Sequence, residues 1–129
     1  MGACVFVASG LSFDVDRYLR TSPFRAVSVF RKGEIPGKEL TTRPDSGFVV
    51  LVGESKELEQ IPLALEFLVR HQRDFRTLRQ VGVDNMLLDF GVERTGKLQE
   101  SFYLPPELIA RLGQLGFGLI FSSLQLPQG

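Results

Sequence analysis

The chain has 129 residues, 43% apolar and 23% charged, with 15 cationic side chains against 15 acidic ones and a single histidine. One domain with one core is the expectation at that length. Zero formal net charge argues against a dedicated nucleic-acid binder, whose affinity comes from neutralising phosphates. No apolar run approaches the about 18 residues of a membrane span, and the N-terminus lacks the charged start and apolar stretch of a secretory leader. A cytoplasmic, bacterial-style protein without membrane contact is expected. Cys4 is the only cysteine, so no intrachain disulfide forms and a reducing compartment fits.

Residues 3–9 are dense in Val, Phe and Ala and read as a buried strand that Gly10 ends. Cys4 lies inside that run, so it reads as a small buried hydrophobe, with a nucleophile as the alternative. Ser12 is a candidate cap for a short helix carrying Asp14 and Asp16 in its first turn and Phe13, Val15 and Leu19 inward. Ser22-Pro23 closes it. "AVSVF", 26–30, alternates and reads as a second strand. A loop punctuated by Gly33, Pro36, Gly37 and Pro44 runs to about Gly47, and "GFVVLVG", 47–53, reads as a central strand.

The spacing of Ile61, Ala64, Leu68, His71, Phe75 and Leu78, alternately three and four, predicts a long helix over 56–80. Acids at its start and Arg70, Arg73, Arg76 and Arg79 in its second half suit the helix dipole. Pro62 fits only a first turn, which places the regular start near Leu58 to Ile61. "NMLLDFGVE", 85–93, reads as a strand, 94–97 as a turn and 98–104 as a further strand. Pro105-Pro106 opens a helix that Gly116 stops, and 117–125 is the last strand. Helices are too few to cover both faces of a parallel sheet. The expected fold is α+β: an antiparallel or mixed sheet of about five to six strands, with one long and two short helices on one face.

Chemistry is sparse. One His and one Cys without ligand spacing build no metal site, and no phosphate loop, nucleophile elbow or carboxylate pair is present. No catalytic residue, metal or cofactor is assigned. His71 sits in the apolar stripe, where a neutral core imidazole is expected. Cations concentrate between residues 17 and 43. Arg17, Arg20, Arg25, Arg31, Lys32, Lys38 and Arg43 form a candidate basic patch, since guanidinium forks suit carboxylates and phosphates. The bland alternative is a solvated rim. Phe accounts for 11 residues, and any aromatics on a bare side of the sheet would mark an interface or ligand site. Phe24, Phe30, Phe48, Phe90, Phe102, Tyr103, Phe117 and Phe121 are candidates, and filling the core is the alternative.

"FRAVSVFRKGE", 24–34, and "LPPELIARLGQLGFGLIFSSL", 104–124, resemble a bacterial family of small α+β domains catalogued as domain of unknown function 4279. The first carries an aromatic–Arg–Lys–Gly turn and the second a Pro-Glu-Leu helix before a final strand. Where that family often has Trp before the basic pair, this chain has Phe30. The resemblance implies no enzymatic activity. It implies a binding role, in some members immunity-like toward toxins, and maps that motif onto Phe30, Arg31, Lys32, Gly33 and Glu34.

The expected function is a small non-enzymatic binding or interaction domain. Its contact region is the sheet surface with the Arg31–Lys32 turn, through Arg17, Arg25, Phe30, Arg31, Lys32 and Glu34. The expected partner is a protein or a second copy of the chain. One alternative is a small enzyme or sensor for an anionic ligand, with His71 or Tyr103 as proton carrier and Arg17 or Arg25 as anion clamp. The other is a homodimerising structural domain.

Overall fold

The computed structural model describes residues 2–35, 43–55, 57–93 and 103–124. The chain is α+β. Strands β1 (Gly2–Gly10), β2 (Ala26–Phe30), β3 (Ser46–Ser55), β4 (Asn85–Glu93) and β5 (Gly118–Leu124) form one five-stranded sheet in the order β2-β3-β1-β4-β5. Its first three pairings are antiparallel, and β4 with β5 is parallel. The parallel pair requires a crossover, and α4 (Pro106–Leu115) lies within it. The expected strand over 98–104 falls mostly outside the described residues. Its last two residues, Tyr103 and Leu104, are not strand. The expected turn at 94–97 also lies outside them.

Among the described residues, α1 (Val15–Leu19), α2 (Glu57–Arg70), α3 (Gln72–Gln80) and α4 complete the fold. All four contribute to a single core with the inner side of the sheet. Val15, Leu68, Phe75, Leu78 and Leu108 join Cys4, Phe6, Phe48, Leu88 and Phe90, each at most 2% exposed. The helices therefore share one face of the sheet.

Three local expectations are corrected. The N-cap of α1 is Asp14, not Ser12: its carboxylate accepts from the Arg17 N–H at 3.1 Å, which satisfies one of the donors left over at a helix start. The helix at Pro62 begins earlier than a first-turn proline allows, at Glu57. Proline lacks one N–H, and the exposed side of the helix tolerates that loss. The long rod is also interrupted, because His71 departs from helical dihedrals at φ −106° and ψ 20°. Hydrogen bonds from the His71 N–H to the Phe67 carbonyl and from the Phe75 N–H to the His71 carbonyl still cross the break. The apolar stripe continues through it.

α4 ends as its sequence requires. Gly116 takes a left-handed conformation, φ 72°, and the Phe117 N–H returns to the Leu112 carbonyl at 2.8 Å. Arg79 reaches across from α3 and donates to the carbonyls of Leu115 and Gly116 at 2.8 and 3.2 Å. A cation at a helix C-terminus meets the negative end of its dipole. Of the rod's arginines, Arg79 is thus tied to α4 and Arg70 pairs with Glu66.

Cys4 is fully buried, and burial, reinforced by the Asp89 charge, pushes its thiol from 9.0 up to about 12. The structural reading of Cys4 holds, since the nucleophile is the thiolate. Its folded pKa lies above its unfolded value, so the unfolded state releases the proton first as pH rises. Stability should therefore fall between pH 9.0 and about 12, by up to about 1.4 kcal/mol per pH unit from this group. Urea midpoints of the parent and Cys4→Ala, taken across that range, should converge. Parallel curves would contradict the assignment.

Candidate functional site

The strand register assigns each side chain to a face. On the side away from the helices, Leu51, Val5, Asp89 and Ile120 stand level across β3, β1, β4 and β5. The next row runs Ser28, Val49, Val7 and Leu87. Val5, Val7, Val49 and Leu87 are partly exposed, while Leu51 and Ile120 remain 40% and 44% exposed. No described helix covers them. Asp89 is the charged member of these rows, and it accepts the Ser122 hydroxyl on Oδ2 at 2.8 Å. The open side is therefore mainly aliphatic. Phe24, Phe48 and Phe90 are buried on the helix side, where Phe117 also packs. Phe121 stacks on Phe90 at 6.0 Å between centroids. Phe30 lies on the open side, level with Gly47. Phe102 falls outside the described residues, and Tyr103, 68% exposed, lies beyond the strands.

The turn after β2 is closed by its own backbone. Gly33 has φ 90°, a conformation side chains resist. Its N–H donates to the Arg43 carbonyl at 2.9 Å, and the Arg43 N–H donates to the Glu34 carbonyl at 2.8 Å. The Lys32 N–H donates to the Ser46 hydroxyl. Arg43 lays its guanidinium 4.6 Å from the Phe30 ring centroid, a cation–π contact at the corner of the open side. Residues 36–42 lie outside the description.

The candidate cations are engaged in different ways. Arg31 donates two hydrogen bonds to Asp16, from Nε at 2.9 Å and Nη2 at 2.8 Å, and also approaches Glu34 at 3.6 Å. This bidentate pair holds α1 to the end of β2. It draws the Asp16 carboxyl below the ordinary carboxylate range, first through the Arg31 hydrogen bond, and holds Arg31 charged. Arg31 is thus engaged with both Asp16 and Glu34. Arg25 and Lys32 stand exposed at the two ends of β2, and neither makes an ion pair with a described residue.

Arg17 belongs to a second place. It lines an open depression of about 630 Å³ between α1 and α3, with Asp14, Tyr18, Thr21, Asp74 and Thr77. Tyr18 stacks on Phe48, and burial raises its phenol above the ordinary value. Asp74 receives His71 Nδ1 at 2.7 Å. His71 itself is only 15% exposed, with its ring 4.6 Å from Phe24 and 4.8 Å from Phe67. It contacts the carboxylate that lines the depression and does not line it.

Of the sequence candidates, the fold gathers Phe30, Arg31, Lys32 and Glu34 at one turn. It places Arg25 at the other end of β2 and Arg17 across α1. The aliphatic rows escaped the sequence reading. Their signal is that β1 and β3 are apolar on both faces in a chain with helices enough for one. No group of three potential metal ligands exists among the described residues, and no described helix is long and apolar enough to cross a membrane. No family model, curated protein or solved structure matches the chain.

Proposed function

We propose that the chain is a protein-interaction domain that receives its partner on the open side of the sheet. One observation carries this reading: the helices share one face, so aliphatic rows on β1, β3, β4 and β5 are left without a described cover. Exposed apolar surface of this kind is costly in water and marks an interface. Arg25 and Lys32 at the ends of β2 suit a partner whose apolar patch is rimmed by carboxylates. An immunity-type role, implied by the resemblance of residues 30–34 and 104–124, would make that partner a toxin, and those short motifs alone support it.

The test is capture from native lysate by the parent, by Leu51→Lys and by Arg25→Ala/Lys32→Ala. Arg31 stays intact, because removing it would also release Asp16. Leu51→Lys should lose the captured protein at least tenfold with an unchanged circular-dichroism spectrum. The double variant should lose it in a salt-dependent manner. Equal capture by all three proteins rejects the reading.

A second reading has its own observation. Arg17 and the Asp74 carboxylate, which His71 orients, line one depression. A small-ligand sensor or enzyme would use Arg17 as anion clamp. Titration with inorganic phosphate and with acetate, followed through the amide resonances of residues 12–21 and 74–81, tests it. Shifts lost in Arg17→Ala support it, and unmoved resonances dismiss it.

A further inference from the structure

We propose that the depression between α1 and α3 is the site of a small zwitterion, an α-amino acid with an apolar side chain, whose carboxylate binds Arg17 and whose ammonium donates to Asp74. The proposal rests on reading that depression as a ligand site and names the ligand. It is independent of the open side of the sheet. At about 630 Å³, the depression falls within the roughly 300–1,000 Å³ of small-molecule sites.

The charges of the lining select the ligand. Its described residues hold one cation, Arg17, against two carboxylates, Asp14 and Asp74. A simple anion would gain the guanidinium but be repelled by both carboxylates, and a simple cation would leave Arg17 unused. A molecule carrying both signs answers both. The Arg17 guanidinium makes no hydrogen bond or ion pair with a described residue, so its fork is available to a ligand carboxylate.

Asp74 is the better prepared of the two carboxylates. Its Oδ2 lies 2.7 Å from His71 Nδ1, and that imidazole is itself held against Phe24 and Phe67. The packed ring fixes the carboxylate, whose Oδ1 has no described hydrogen-bond partner and can accept an ammonium N–H. Burial raises the Tyr18 phenol and the Asp74 charge adds to the rise, so the α3 carboxylate acts on the α1 wall. Asp14 is already committed on Oδ1 to the Arg17 N–H. Tyr18, Pro23 and Val81 give the same depression apolar surface, which suits a branched aliphatic side chain.

L-valine, isovalerate and isobutylamine are the probes: the second lacks the ammonium and the third lacks the carboxylate. Each is titrated into the full chain at constant pH and ionic strength, followed through the amide resonances of residues 12–21 and 74–81. Concentrations to about 50 mM suffice, since a ligand of fewer than about ten heavy atoms in an open site binds with a millimolar Kd. L-valine should bind about tenfold more tightly than either fragment. Asp74→Asn should weaken valine about tenfold and leave isovalerate no weaker, while Arg17→Ala should lose both. Circular dichroism reports folding, and if Asp74→Asn does not fold, the three probes on the parent decide. Isovalerate that binds as tightly as valine, or phosphate that moves resonances valine does not, overturns the zwitterion and leaves the anion clamp. Isobutylamine that binds as tightly as valine overturns the zwitterion and the clamp together. Resonances unmoved by every probe overturn the ligand site itself.

Discussion

Phe6→Ala should destabilise the domain by about 3–5 kcal/mol, the range for truncating a fully buried aromatic ring. Phe6 is 0% exposed. Its ring lies 5.5 Å from Phe24, 6.1 Å from Phe48, 5.4 Å from Phe67, 5.3 Å from Phe75 and 5.6 Å from Phe117, centroid to centroid. These neighbours come from the approach to β2, from β3, from α2, from α3 and from the approach to β5. Phe6 is therefore where the sheet and both halves of the rod meet. Against a total stability of about 5–15 kcal/mol for a domain, the loss would leave much of the protein unfolded at physiological temperature. Urea unfolding followed by circular dichroism gives the value, and Phe6→Leu should cost about 1.5 kcal/mol or less. A loss below about 1 kcal/mol for the alanine variant would show that the ring cluster does not hold the layers together.

Gly10→Ala should cost about 3 kcal/mol, the upper part of the usual overpacking range. A Cβ on Gly10 would stand 2.0 Å from the Gly82 carbonyl oxygen and 3.0 Å from its carbon. The obstacle is backbone and cannot rotate away. The two segments are also bonded, since the Asp84 N–H donates to the Ser9 carbonyl at 3.0 Å. Gly82 itself has φ 111°, so the turn from α3 into β4 has no easy route of retreat. Gly33→Ala is the contrast. Gly33 has φ 90° with nothing within 4 Å of the added methyl, which leaves only backbone strain of about 1–2 kcal/mol. Thermal melts of the two variants should rank Gly10→Ala well below Gly33→Ala. The reverse order would contradict the close packing of the end of β1 against that turn.

The architecture was legible where local pattern decides it. Five strands stand close to the places where apolar or β-branched runs are bounded by Gly, Pro or charge. The scarcity of helices pointed to an α+β sheet with one covered face. Strand order was not legible. β1 takes the centre by pairing with β3 and β4, partners separated from it by long stretches of chain, and only packing of the whole core selects them. The interruption at His71 was hidden because the three-and-four spacing of apolar residues runs straight through it.

The site was legible in part. That the segment 17–43 is cationic was plain, but the pairing of Arg31 with Asp16 joins β2 to α1 and no local pattern announces it. That Arg17 lines a depression with Asp74 was hidden for the same reason. Aromatic content gave no face, because a phenylalanine on a strand fits either side. Register alone turned Phe48 inward and left Val49 and Leu51 outward.

The central claim is that the open aliphatic side of the sheet is the contact surface, and methyl-labelled protein observed by NMR in native lysate tests it most directly. The account expects selective broadening of the methyl signals of Val49, Leu51, Val5, Val7 and Leu87, with core Leu68 and Leu88 losing only what slower tumbling removes. Broadening confined to Thr21, Thr77 and Val81 around the α1–α3 depression, or spectra identical in lysate and buffer, would contradict it.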